Sequence, residues 1–477
     1  MKHILFLTFF FLIISFSKSQ EIKYKLNSQT TISDKKQLPF WLVNNKNGVI
    51  EDTNNSLLEA FVYKERTDSV FDYTFGADTY SSYFNDKFKS IINQYYLDIN
   101  YKKWFVSFGA KNPTVYYDNL SMSGDNIVMT GNARPYPKIE FGSSDYLEVP
   151  FTKGKLFVKG VFSNGWMLDT RYVEDVMIHH KNAYIRYGKE KGFSVEFGLE
   201  HYAQWGGTSP KLGKMPSGIK DFARIILAKE GTDKNVMTEY ENALGNHIGQ
   251  NQLKFNYNTN KFNSTFFIRN MFEDRSQDIR KIYKSPDDLT DLNYGLYIKF
   301  KEIKTISSIM LEYYSTMKQG NLGFHSAGIT VGYDHNFNNG VYASGWSNYN
   351  RGFGIPLNSP THFREDNSIY FANTTFKAFN IGIQGEYKKY QYMFKYTYHK
   401  NYGQVKNVAE GKPYKPDMYK KRYYTVDPAE HQNYFLFKVI LPEYNLPFRV
   451  SSSLGYDLGD ISKNFGFSIS IFKQGIF

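Results

Sequence analysis

Along residues 463–477 every second position is apolar: Phe465, Phe467, Ile469 and Ile471 share one face, and Asn464, Gly466, Ser468 and Ser470 the other. A period of two is a strand signature. A strand greasy on one side and polar on the other, ending on an aromatic residue, is similar to the C-terminal strand of bacterial outer-membrane barrels. In a bilayer every backbone N–H and C=O needs a partner, so such a strand is viable only inside a closed barrel. The pattern recurs upstream. Alternation predicts strands over 57–65, 70–78, 93–101, 104–110, 155–163, 181–188, 193–199, 252–257, 262–268, 293–300, 306–314, 327–334, 341–346, 368–376, 380–387, 391–399, 434–441 and 448–454. With the last strand these make nineteen candidates, and because bacterial single-chain barrels have an even number, eighteen or twenty is expected.

Three stretches do not read as wall. Residues 23–36 are polar without a clear period, and 37–50 read as an amphipathic periplasmic segment or a first strand with a turn at Asn47-Gly48. Residues 111–150 are rich in Pro, Gly and Asn, the composition of a structured loop. Residues 201–249 interrupt the alternation and contain one helix, 217–229, with Ile219, Phe222 and Ile226 on one face and Gly231 as a stop. A helix in a barrel sequence must bury its apolar face, and the lumen or the periplasmic mouth is the expected place, making 201–249 a plug insertion. Counting back from a periplasmic C-terminus places 442–446 in the periplasm and 400–432 outside. The short turn at 337–340 breaks that parity.

Composition sharpens the membrane reading. The 477 residues include 40 Tyr and 41 Phe, which suits a lipid-facing wall with aromatic girdles, although a soluble all-β array could also be Tyr-rich. The single unbroken apolar run, Ile4 to Phe16, lies behind Lys2 and ahead of Ser17 and Ser19. It is too short to span a bilayer and reads as a signal peptide over 1–19, leaving 20–477 as one barrel domain in the outer membrane. Cysteine is absent, so there is no disulfide framework, thiolate metal site or lipoprotein anchor. A net charge of +12 favours acidic partners, lipopolysaccharide phosphates or an acidic polysaccharide, over nucleic acid in an exported chain.

Leu38-Pro-Phe-Trp-Leu-Val-Asn-Asn-Lys-Asn-Gly48, Thr130-Gly-Asn-Ala-Arg-Pro-Tyr-Pro137 and Gly198-Leu-Glu-His-Tyr-Ala-Gln-Trp-Gly-Gly207, in that order ahead of a barrel half, resemble the capsule assembly Wzi family in its Bacteroidetes form. The resemblance covers nearly the whole mature chain. It implies an eighteen-stranded outer-membrane barrel, closed on the periplasmic side by helices, acting as a lectin that tethers capsular polysaccharide. One helix stands here where enterobacterial members have a small bundle.

Catalytic readings fail on spacing. Gly323-Phe-His-Ser-Ala-Gly328 misses the nucleophile-elbow pattern and precedes a strand. His179 and His180 are adjacent strand positions pointing to opposite faces, so they read as surface histidines rather than metal ligands. The pairs Asp287-Asp288 and Glu365-Asp366 lie in polar loops with nothing to raise a carboxyl pKa.

Binding readings fare better. His201, Gln204 and Trp205 combine hydrogen-bonding groups with an aromatic face beside Gly206-Gly207, or are simply a packed turn. Asn132 and Arg134 are candidates of the same kind, with a loop-pinning arginine as the plain alternative. The loop 400–432 carries Lys412, Tyr414, Lys415, Tyr419, Lys420, Lys421 and Arg422. Cations suit uronic acids and tyrosine rings suit sugar faces; the alternative is a solvated loop whose charges meet lipopolysaccharide. The expectation is an all-β transmembrane antiparallel barrel of about 18 strands with a small helical plug. It would be a non-enzymatic lectin without cofactor or metal, binding capsular or exopolysaccharide in contact with outer-membrane lipid and the polysaccharide export machinery. A passive porin is the second reading and an outer-membrane hydrolase the third.

Overall fold

The computed structural model describes residues 22–67, 69–232, 243–273, 291–317, 323–325, 328–330, 336–358, 361–405, 424–443 and 446–477. The expected signal sequence and the seven cationic and tyrosine positions from Lys412 to Arg422 lie outside the described residues, as do Asp287 and Asp288.

Eighteen strands form one antiparallel wall: β1 (Lys23–Ser33), β2 (Asn55–Lys64), β3 (Phe71–Phe84), β4 (Lys87–Tyr101), β5 (Trp104–Ala110), β6 (Lys138–Ser143), β7 (Leu156–Trp166), β8 (Met177–Tyr187), β9 (Gly192–Trp205), β10 (Asn246–Asn258), β11 (Phe262–Glu273), β12 (Leu292–Phe300), β13 (Ser308–Ser315), β14 (Phe376–Tyr387), β15 (Tyr390–Asn401), β16 (Glu430–Ile440), β17 (Arg449–Gly459) and β18 (Lys463–Ile476). The sheet closes because β1 pairs with β18, from Lys23 opposite Ile476 to Ser33 opposite Gly466. Closure removes the sheet edges that neither lipid nor water-free packing could satisfy. Among the described residues two α-helices interrupt the wall, α1 (Phe40–Val43) and α2 (Ile219–Leu227).

Alternation assigns the faces. On β17, Leu454, Tyr456 and Leu458 are exposed while Ser451 and Asp457 are buried, so the apolar row faces lipid and the polar row faces the lumen. The final strand does the same with Phe465, Ile469 and Ile471 outward and Asn464 and Ser468 inward.

Two wall strands were not legible. β1 lies in the polar stretch, because its outward row mixes Leu26 and Ile32 with Ser28 and Thr30, and Thr30 is hydrogen-bonded to Ser56 across the outer face. β6 is six residues inside the expected loop, with Ile139 and Phe141 outward. Conversely, two expected strands are not wall, and of a third, 327–334, only 328–330 lie among the described residues. Residues 341–346 contain no strand, 369–371 pair only with 361–363, and 328–330 pair only with 323–325. All three fall in one connection, 316–375, between β13 and β14, and this removes the parity conflict at 337–340.

The termini share one end of the barrel with turns such as 102–103, 188–191, 259–261, 388–389 and 441–448. The opposite end carries the long connections 34–54, 111–137, 167–176, 206–245, 316–375 and 402–429. Short turns mark the periplasmic end and long loops the extracellular end of outer-membrane barrels. Residues 37–50 therefore enter from the extracellular side and carry a short helix, so they are neither the periplasmic segment nor the first strand that were the two expectations.

Candidate functional site

The lumen is filled from the long-loop end. Residues of the 34–54, 111–137, 167–176 and 316–375 connections make a single apolar cluster, with Trp41, Met122, Ile127, Val173, Trp346 and Phe353 fully buried or nearly so. Inward residues of opposite walls join it, Ile178, Tyr202 and Ile248 on one side and Tyr314, Phe376 and Tyr434 on the other. The cluster thus spans the barrel from wall to wall.

The polar wall holds this plug through its backbone. Pro39 precedes α1, and the buried N–H of Phe40 at its start donates to the inward carboxylate of Asp457, 3.0 Å from Oδ2. An anion at a helix start satisfies donors that have no intrahelical partner. Gly455 and Gly466 line the same wall, where a Cβ would lie 2.8 Å from Leu42 and 2.6 Å from Pro39. Trp41 donates its ring N–H to Thr397 at 3.1 Å, and Lys395 sits over the ring at 3.5 Å. Glu312 performs the same task for the next segment, accepting from the Met122 N–H at 2.9 Å and the Ser121 hydroxyl at 2.8 Å, with Ser123 and Asn293 as further donors.

Asp118 and Asp125 pin the loop between them. Asp125 lies 2.8 Å from Lys254 and 3.1 Å from Arg269. Burial pulls its carboxyl upward, but these two cations more than offset that and hold it below the ordinary carboxylate range. Tyr117, Asp118 and Asn119 all have positive φ, 52°, 52° and 62°, a costly run for residues with a Cβ. Bonds from Asp118 to Tyr297, Ser308 and Lys299 stabilise it.

Below the plug lies a cavity of about 940 Å³. Its lining runs from Glu65, Arg66 and Tyr146 at the short-turn end up to Ala133 and Phe353 on the underside of the plug. Charges on its wall are largely paired with one another: Lys111 with Asp98, Lys138 with Glu140, and Lys254 with Glu196. The Asp98 Oδ1, Asn100 Nδ2 and Asn182 Oδ1 atoms facing it have no protein partner among the described residues.

The structure separates the sequence-predicted binding residues rather than gathering them. Strand parity puts His201 and Trp205 on the outer face, with Phe193 and Phe197, while Gln204 points inward with Glu200 and Tyr202. Gln204 is fully buried, bonded to Gly345 O at 3.1 Å and to Asn246. Asn132 is buried in the plug, donating to Gly352 O at 3.0 Å and accepting from Asn45 N. Arg134 donates to Ile92 O at 2.8 Å, and its guanidinium lies 3.8 Å from the Tyr349 ring centroid, facing the cavity. Gly207 has φ +90°, and a Cβ there would meet Glu174 O at 2.4 Å, so this glycine serves a close backbone crossing. His179 and His180 do point to opposite faces, but both are buried rather than superficial.

Helix α2 forms where expected, and the surface it covers is not lumenal. Phe222 stacks on Trp205 at 5.0 Å and meets Phe162 and His179 edge-on, all outward-facing. Ile225 is fully buried with Ala203, Trp205 and Leu244. The helix therefore lies on the outside of the barrel, over β7–β9 at the extracellular rim. Beneath it sit polar groups unusual for a lipid-facing wall. His201 and His247 are 2.9 Å apart, His247 donates to Leu244 O at 2.7 Å, Trp205 donates to Asn164 at 3.0 Å, and Lys181 donates to the Ile226 carbonyl at the end of α2.

No family model matches the chain, and no curated protein does. Solved structures do match. An outer-membrane protein of Escherichia coli, Wzi, described as a carbohydrate-binding β-barrel involved in group 1 capsule assembly, superposes with a TM-score of 0.55 over 94% of this chain and 83% of that one, at 11% identity. The chain is an outer-membrane-type barrel. Acinetobacter baumannii OccAB4 (TM-score 0.43, 12% identity, 97% and 99% covered) and Pseudomonas aeruginosa OprD (0.45, 9%, 96% and 95%) are more distant. At such identity the likeness is one of fold.

Proposed function

We propose that this barrel binds and anchors capsular or exopolysaccharide at the cell surface and is neither a conduit nor an enzyme. The observation that carries the reading is the apolar cluster spanning the lumen from wall to wall, which leaves the extracellular loops as the contact surface. The fold shared with a carbohydrate-binding barrel is consistent with it. In this reading Lys412, Tyr414, Lys415, Tyr419, Lys420, Lys421 and Arg422 hold the polymer, and retention comes from many weak contacts along one chain.

A passive porin is the second reading, favoured by the cavity of about 940 Å³ below the plug. Single-channel conductance in planar bilayers separates the two. The expected wild type is closed, deletion of 38–47 opens it, and deletion of 217–229 leaves it closed because α2 is outside. A wild type that conducts makes porin the better description. In cells, deletion of 406–423 is expected to release polymer into the medium; unchanged retention would overturn the lectin reading.

A further inference from the structure

The nine residues of α2 divide into three sectors at about 100° per residue. Phe222, Ile225 and Ile226 face the wall. Ile219, Ala223 and Leu227 form a second, adjoining flank that is exposed, with Ile219 at 82% and Leu227 at 60%. Lys220 and Arg224 occupy the side away from the wall, half-buried Asp221 lies between Arg224 and Ile225 with its carboxylate 4.0 Å from the Arg224 guanidinium, and exposed Lys229 follows the helix end. A helix whose job was only to cover the wall would need one apolar face. This one has two, and the second faces no protein among the described residues.

Its surroundings name the occupant. The outward row of β7, over which the helix lies, ends in exposed apolar residues, Phe162, Trp166 and then Leu168. The rim is the extracellular one, where an outer-membrane barrel meets the outer leaflet. Association of helices in lipid gains little from hydrophobicity, since acyl chains are as apolar as leucine. What holds α2 in place is the stacking of Phe222 on Trp205, the burial of Ile225 and the Lys181 bond to the Ile226 carbonyl, and in that position it covers His179, His201 and His247, which would otherwise face hydrocarbon. An amphipathic helix with an apolar flank and a cationic flank, lying along an interface, is suited to acyl chains on one side and anionic headgroups on the other.

We propose that α2 is an interfacial helix whose Ile219–Ala223–Leu227 flank enters the outer leaflet and whose Lys220, Arg224 and Lys229 bind the phosphates of a phosphorylated glycolipid. The barrel thereby carries a lateral lipid site at its extracellular rim. This does not depend on the polysaccharide reading, and either can fail alone.

The test uses the full chain in phosphatidylcholine nanodiscs, with bis-phosphorylated lipid A, with its dephosphorylated form, or with inorganic phosphate. Native mass spectrometry counts bound lipid, and hydrogen exchange reports on 219–227. Lipid A is expected to bind and to protect α2. The triple variant K220Q/R224Q/K229Q is expected to bind it on the order of 100-fold more weakly, at about 1 kcal/mol per cation near an anionic surface, with the barrel intact by circular dichroism. Equal binding by the variant, or equal protection by dephosphorylated lipid, overturns the headgroup assignment. Protection by inorganic phosphate alone would make this a simple anion site and overturn the lipid assignment.

Discussion

The two α-helices among the described residues sit on opposite sides of the barrel wall, and their sequences explain why. α1 is Phe-Trp-Leu-Val, four residues all buried inside the lumen. α2 is amphipathic and lies outside. A globular protein buries the apolar face of an amphipathic helix inward, but a membrane barrel is inside out: its lumen wall is polar and its outer wall apolar. An amphipathic helix therefore finds a matching surface only outside. A segment that enters the lumen must be apolar all round, pack on other plug segments, and leave its backbone ends to inward carboxylates such as Asp457.

The sharpest way to break this comparison is at Trp41. Its ring is 2% exposed, bonded to Thr397 and covered by Lys395. Replacing a buried tryptophan by alanine costs about 3–5 kcal/mol, so Trp41→Ala is expected to loosen the plug and produce frequent conducting events while the β signal by circular dichroism persists. A variant as silent as wild type would mean that α1 does not hold the plug.

Ile225→Ala acts on the other helix. Ile225 is fully buried, but in lipid the lost term is mainly dispersion, so about 2 kcal/mol is expected, the low end of the range for such truncations. Hydrogen exchange over 219–227 should quicken and conductance should stay at the wild-type level. Conductance that rises with this variant would place α2 against the lumen after all.

How much of this was legible follows from which side each residue had to satisfy. Strands with one lipid row and one water row read directly, as β5 and β18 do. β1 failed because Ser28 and Thr30 sit in its outward row. The upper parts of β8, β9 and β10 failed because His179, Lys181, His201 and His247 occupy outward positions that α2 covers, so the alternation seemed to stop at 201 and resume after 249. The helix itself was legible from Phe222 and its neighbours. The face of the wall it would choose was not, since the pairing of His201 with His247 across two strands is long-range. The Leu38–Gly48 stretch was visible as unusual, yet only Asp457, Gly455 and Gly466 on distant strands make it a plug.

The smallest effect expected is a pH dependence of the inner element that the outer one should lack. Lys46 follows α1, and burial together with the charge of Lys438 pushes its ammonium down from 10.5 to about 8. A released segment would regain the ordinary value. Between about 8 and 10.5 the released form therefore binds a proton that the docked form does not. Docking strengthens as pH rises through that window, gains nothing further above it, and carries its full penalty below. The rare residual openings of the wild type in planar bilayers are thus expected to become rarer as pH is raised from 7 to 11, through the window set by Lys46. Lys46→Met, which keeps the apolar stem and removes the charge, should flatten the curve and lower the starting open probability. A wild-type curve that rises with pH, or a variant curve that keeps the slope, would assign the titration to another group and leave Lys46 without a part in holding the plug.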